Sequence, residues 1–338
     1  MKGSLLTNSR SIALTFLCAV ALSPAAGTPA WAQTAPQPSP APSATPFSAA
    51  QAPADAGAMS PEELAKVQEA IIKASQNPVG NIAVVPFQNN FNYGYGPYSR
   101  LQYNMNLQPV VPIVINPSLN LIARLIAPIV NNPSSAPPTV CAQPTGCPGT
   151  FGIGDINPQF YLAPKVSGNG LIWGAGAQML FPTGTPSTLG SGKYGAGPAI
   201  VGLIMPGNIV TGVLVTQMFS IGGDPNRATI SSGFIQPFFN YNLPHAWSIS
   251  LGSSGITANW VATPQQGKWL VPVGGGVVKT FKLGDQPMQL GLLYYGNVVK
   301  PTNAPNGTIR FNWALLFPVK RGFALPGPPP GAAAPAKQ

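Results

Sequence analysis

Arg100-Leu101-Gln102-Tyr103-Asn104-Met105-Asn106-Leu107-Gln108 is the stretch on which the reading of this chain turns. Leu101, Tyr103, Met105 and Leu107 alternate without a break against Arg100, Gln102, Asn104, Asn106 and Gln108. That is the period-two pattern of a β-strand with one apolar face and one wet face. A helix would mix the two sets. Soluble strands usually carry Lys, Glu, Asp and Thr on the wet side, whereas here the polar row is mostly Asn and Gln. Uncharged amides line an aqueous interior without large ionic fields, so the stretch predicts one stave of a transmembrane barrel, apolar side to lipid and amide side to the lumen.

Composition points the same way. Only 7% of residues are charged, against roughly a quarter in soluble domains. The 38 Gly and 41 Pro of the 338 residues supply breaks throughout, and no repeat of helical-solenoid period is present.

Read from its start, the chain opens as an export signal. Lys2 and Arg10 precede an apolar run from Ile12 to Leu22, and Ala30-Trp31-Ala32 forms an A-x-A site that predicts cleavage between Ala32 and Gln33. The longest later apolar stretch, Val110 to Val130, is broken by Pro112, Asn116, Pro117, Asn120, Arg124 and Pro128, too often for a membrane helix. Residues 33–59 are a Pro/Ala-rich linker expected to be disordered. Ser60-Pro61-Glu62-Glu63 then offers an N-cap, a first-turn proline and a capping-box glutamate, opening a short periplasmic helix within residues 60–77. Leu64, Val67 and Ile71 give it a narrow apolar stripe. Of two readings, a plug at the barrel mouth and a loosely attached pre-barrel helix, the second is the expectation.

From residue 78 to 318, strand patterns and turn signals alternate. They predict an all-β, antiparallel up-and-down barrel of about twelve strands: 80–90, 99–112, 119–130, 151–164, 171–182, 193–205, 209–221, 228–243, 247–260, 268–282, 288–299 and 308–318. Parity places Asn157, Gln159 and Asp155 on the inner face of the fourth strand and Gln178 on that of the fifth. Gln236 and Asn240 face inward on the eighth, and Arg310 and Asn312 on the twelfth. The seventh and ninth strands are less regular and their faces stay unassigned. Every second connection is short, as at 206–208, 244–246 and 284–287, and the longest spans 131–150; short periplasmic turns with longer outer loops give this phase, with both termini periplasmic. Residues 319–338 are a Pro/Gly/Ala-rich tail, expected to be disordered.

The candidate lumen lining is therefore Arg100, Gln102, Asn104, Asn106, Arg124, Asp155, Asn157, Gln159, Gln178, Gln236, Asn240, Arg310 and Asn312. Removing Lys2 and Arg10 with the leader takes the net charge from +10 to +8. Charge on a lipid face is costly at mid-depth, so the arginines belong inside or at the interface. Two readings stay open there: a lumen that favours anions or polar neutral solutes, or arginines paired with Asp155 and the amides merely to satisfy the interior. Glycines at 174, 176, 195, 197 and 274–276 are expected to leave room for a solute or a plug.

Cys141 and Cys147, both in the longest loop, read as a disulfide in an oxidising compartment. A metal site would lack partners, since His245 is the single histidine and lies in a turn on the opposite side. The same scarcity leaves no Ser/His/acid or Cys/His arrangement, so no catalytic residues, metal or cofactor are expected. Gly190-Ser191-Gly192-Lys193 fails P-loop spacing, because Ser187 stands where a glycine belongs and Tyr194 where Ser/Thr does. The basic residues are dispersed, which argues against nucleic-acid binding.

Several segments carry a resemblance: Gln76-Asn77-Pro78 with Pro86-Phe87-Gln88-Asn89-Asn90, Gly152-Ile153-Gly154-Asp155-Ile156, the run Gly190 to Pro198, Gln236 to Pro244, Ile256-Thr257-Ala258-Asn259-Trp260, Val271 to Gly276, and Asn297-Val298-Val299-Lys300-Pro301. In this order they resemble the bacterial outer-membrane porin and transporter family related to the meta-pathway phenol-degradation proteins, whose members often bear the label transporter or neuromedin U. The resemblance covers about residues 76–318. It implies an outer-membrane β-barrel and uptake of small, including aromatic, molecules, and it supplies no ligand residues. The long Pro/Ala leader depart from the family pattern, as does the tail after Phe317. The expected function is passive diffusion of small solutes, aromatic or anionic, with a non-conducting structural barrel as the alternative. Expected partners are outer-membrane lipids, the barrel-assembly machinery and the solutes themselves; the sequence sets no oligomeric state.

Overall fold

The computed structural model describes residues 69–78, 82–137, 148–165, 170–252, 254–318 and 323–324. The signal segment, the linker, most of the pre-barrel helix, Cys141, Cys147 and nearly all of the tail lie outside the described residues. Sixteen strands form one sheet: β1 (Ile82–Tyr95), β2 (Arg100–Leu107), β3 (Val110–Asn116), β4 (Leu119–Asn132), β5 (Thr150–Ile153), β6 (Asn157–Pro164), β7 (Ile172–Leu180), β8 (Lys193–Ile204), β9 (Ile209–Gly223), β10 (Ser231–Leu243), β11 (Trp247–Gly252), β12 (Ile256–Asn259), β13 (Trp269–Leu283), β14 (Gln286–Val299), β15 (Gly307–Pro318) and β16 (Phe323–Ala324).

Three pairs of these share a stave. β2 and β3 are one stave with a jog at Gln108-Pro109, β5 and β6 one interrupted at 154–156, and β11 with β12 one interrupted at 253–255. The result is a closed antiparallel barrel of twelve staves. Closure comes from β1 against β15, in a register that sets Phe87 opposite Trp313 and Asn90 opposite Arg310. β16 lies parallel to β3 and is no stave. Closing the sheet removes every long edge, which a bilayer demands because its core offers backbone groups no water.

Strand parity holds where the sequence alternates. Leu101, Trp173, Met179, Ile309, Phe311, Trp313 and Phe317 are exposed on the outside, while Gln159, Gln178 and Asn242 are buried inside. The outer face is thus a continuous apolar band, which water would not tolerate and hydrocarbon would. Among the described residues no helix is long and apolar enough to cross a membrane; strands make the crossing.

The interior is not amide-lined all round. β8 and β9 are apolar on both faces, and their inward Ala199, Val201, Leu203, Val210 and Leu214 pack with Ile122, Tyr161 and Ala163 into a buried cluster at the end carrying the short turns. The seventh strand is irregular for this reason: apolar residues dominate both of its faces, and Thr211, Thr216, Gln217 and Ser220 fall without a period of two. The inward glycines also differ from expectation. A Cβ on Gly176 would run into the Phe160 carbonyl, and one on Gly274 into that of Tyr294. These glycines admit a neighbouring backbone rather than a solute.

Candidate functional site

Inside the barrel two cavities follow one another. The first, about 370 Å³, lies toward the long-loop end and is bordered by Asn106, Gln108, Arg124, Asn157, Gln159, Gln178 and Gln236, with Ile126, Leu180, Met218, Ile230 and Phe234 supplying apolar surface. The second, about 190 Å³, lies toward the short-turn end, among Asn240, Ser250, Gln289, Tyr295, Asn312 and Gln76. Gln88, Gln236 and Arg310 border both, so Arg310 stands at the waist between them.

The polar wall is a chain of oriented amides. Arg124, opposite Gln159 in the β4–β6 register, donates through Nη2 to Gln108 Oε1 at 2.9 Å and through Nη1 to Gln159 Oε1 at 3.3 Å. Tyr161 Oη donates to the same Gln159 oxygen at 2.8 Å. Gln159 Nε2 passes on to Asn157 Oδ1 at 2.8 Å. Each amide turns its oxygen to a donor, the arrangement a buried cation requires when no carboxylate is at hand. Arg310 is held more lightly: Nε donates to Asn90 Oδ1 at 2.7 Å, and its guanidinium carbon lies 5.2 Å from the Tyr295 ring centre. Among the described residues the ion pair found is Lys73 with Glu69, on the helix. Neither luminal arginine meets an acid.

Asp155 is the predicted lining residue with a different task. It sits in the β5–β6 interruption, where Oδ2 accepts from the Ser191 amide and hydroxyl at 2.6 and 2.5 Å and Oδ1 from the Gly184 amide at 3.0 Å. It therefore folds the 181–192 loop down and pairs with none of the arginines, because backbone donors reach it first. Arg227 clamps the same loop by donating to the Ser187 and Gly190 carbonyls.

Arg100 lies at the start of β2, donating to the Ser134 and Ala136 carbonyls at 2.6 and 2.9 Å. It is thereby committed to the long loop instead of the waist. Gln102 bridges Asn92 and Asn132, and the Asn104 carbonyl accepts from Asn90. Gln88, which borders both cavities, and Asn90, which accepts from Arg310, lie on β1, whose faces the sequence pattern left unassigned; Gln108, the last residue of the polar row in 100–108, borders the first cavity. Among the described residues no three His, Cys, Asp or Glu side chains gather as metal ligands would.

The short-turn end holds the helix. Residues 69–75 are helical, with Ile72 buried and Ile71 bordering a small crevice together with Phe281 and Pro287. Ser75 Oγ accepts from Gln289 Nε2 at 2.7 Å. Gln76 Nε2 donates to Asn242 Oδ1 at 2.9 Å and Ser248 Oγ at 3.2 Å, and its oxygen accepts from Asn242 Nδ2 at 3.2 Å. The expectation of a loosely attached helix fails here. Its last turn and Gln76 are stitched to inward residues of β10, β11 and β14, joining hydrogen bonds that Ser248 makes to Asn242 and Gln289 to Thr280.

No family model and no curated protein matches the chain. Among solved structures it is similar to the COG4313 outer membrane channel from Pseudomonas putida F1, at a TM-score of 0.50 and 17% identity over 70% of this chain and 94% of that one. It is also similar to the NanC porin, at 0.44 and 9% over 69% and 98%. A third likeness is to outer membrane phospholipase A from Escherichia coli, at 0.38 and 12% over 74% and 98%. At these identities the likeness is one of fold. The fold is that of Gram-negative outer-membrane barrels, with channels among its likenesses.

Proposed function

We propose that the protein is an outer-membrane channel for passive diffusion of small solutes, with a preference for organic anions that carry an apolar body. The observation that carries this reading is the pair Arg124 and Arg310, which have no acidic partner among the described residues and border successive cavities that meet at Arg310. Positive charge without an acidic partner beside a constriction draws anions and repels cations. In the first cavity, the upper one at the long-loop end, the lining joins the amide wall to Met218, Ile230 and Phe234, so a carboxylate can meet the arginine side while a ring or chain rests on the other.

In this reading residues 1–32 are removed on export and both termini are periplasmic. Cys141 and Cys147 form a loop disulfide, and the helix stitched through Ser75 and Gln76 narrows the periplasmic mouth. That stitching also favours a second reading, a closed barrel with a structural role. Planar-bilayer recording with benzoate as the only anion decides between them. A channel gives steps carried by benzoate that exceed those with benzylammonium as the only cation. A structural barrel gives none, with or without residues 33–77.

A further inference from the structure

On the outer face, in front of the upper cavity, lies an apolar groove of about 410 Å³ whose walls include Pro198, Ile200, Val215, Gln217, Ile235 and Trp260. Three observations connect it with the interior. The groove shares Thr216, Gly233 and Phe234 with the upper luminal cavity, so the barrel wall there is one backbone thick. The pairing of β8 with β9 lapses beside it: Ala196 pairs with Phe219 and Ala199 with Thr216, but Gly197 and Pro198 pair with neither Met218 nor Gln217. Proline has no N–H to give a ladder, and within sheets it marks an edge or an irregularity. Finally, the outward amide of Gln217 accepts a hydrogen bond from Trp260 Nε1 at 3.0 Å, which satisfies it across the groove instead of across the strand pair.

We propose that the β8–β9 wall at Gly197-Pro198 is a side door, through which a small uncharged aromatic solute leaves the upper cavity for the hydrocarbon of the membrane. The proposal rests on the channel reading and adds a second exit to it. Charged solutes continue past Arg310, since a charge gains nothing by moving into hydrocarbon. An uncharged ring loses water on leaving sideways and avoids the buried apolar cluster and the stitched helix beneath. Parting the strands here breaks no ladder pair at Gly197 or Pro198, since neither pairs with β9.

The test is a P198C/Q217C variant in a background with Cys141→Ser and Cys147→Ser, expressed in the outer membrane of cells. Uptake of N-phenyl-1-naphthylamine, an uncharged aromatic dye that fluoresces on reaching lipid, is followed before and after oxidation, with the cross-link verified by gel mobility after proteolysis. The proposal expects oxidation to abolish the fast phase of uptake and reductant to restore it, while single-channel ion current stays the same. Equal uptake in the two states overturns it and leaves the groove a lipid-filled dent. Ion current absent in both states would be failure of the channel reading instead. A second variant, Ile235→Trp, fills the groove from outside without touching the β8–β9 ladder. It too must slow the dye and spare the current, and unchanged uptake in it counts against the side door whatever the cysteine pair does.

Discussion

Arg310 and Arg124 carry the same charge into the same lumen, yet their surroundings assign them different work. Arg310 has one hydrogen bond, to Asn90, and an aromatic face beside it, so its charge remains available to whatever passes. At about 6 Å and an effective dielectric of about 40, one such charge favours a monovalent anion by roughly 1.4 kcal/mol, about tenfold in partitioning. The same charge disfavours a monovalent cation by as much, so Arg310→Gln is expected to cut the anion-to-cation permeability ratio by up to about a hundredfold, read as a shift of reversal potential toward zero. Arg124 is spent on Gln108 and Gln159. Its replacement by Met leaves the Gln108 oxygen without its donor, while Gln159 keeps Tyr161, at a cost of roughly 1–3 kcal/mol. The expectation is a lower urea midpoint, followed by tryptophan fluorescence, with a smaller change in selectivity than Arg310→Gln gives. Asp155→Ala should free the 181–192 loop to proteolysis and leave selectivity unchanged, since its carboxylate is held by Ser191 and Gly184 away from the waist. Sequence parity put Arg124, Arg310 and the amides on one face. It could not separate the two arginines or see that Asp155 is captured, because both depend on partners 16 to 220 residues away.

The pre-barrel helix shows how much a short element depends on its dock. Alone, one to two turns would not persist in water; here burial of Ile72 contributes roughly 2 kcal/mol and the Ser75 and Gln76 bonds about 1 kcal/mol each. A contact of that size opens often. Ile72→Ser combined with Gln76→Ala is expected to lengthen the open time and raise mean conductance in single-channel records, with reversal potential unchanged because Arg310 is untouched. Equal open times would detach the helix from gating. Its start was legible in Ser60-Pro61-Glu62-Glu63, but its docking was not, since Asn242, Ser248 and Gln289 come from three distant strands. Strands followed the same rule. β7, β10 and β15 alternate, so their faces could be read directly, whereas β8 and β9 are mainly apolar on both faces and hid the cluster of Val201, Leu203, Val210 and Leu214.

At the scale of the molecule, an even number of staves closes a barrel whose outer band is apolar and whose interior holds a cavity at the long-loop end, Arg310 at the waist, and a second cavity at the end where Ser75 and Gln76 dock. Strand count and closure followed from alternation and turn spacing, which depend on local chemistry. The interrupted staves, at Gln108-Pro109, 154–156 and 253–255, followed from barrel geometry and had no local signal beyond a Pro or Gly. What the whole molecule does with its excess of positive charge rests on one quantity, the sign of selectivity at the waist. Single-channel reversal potential of the mature protein in a potassium chloride gradient measures it most directly. The account predicts discrete steps with a reversal potential displaced toward the chloride equilibrium value; displacement toward the potassium value would contradict it.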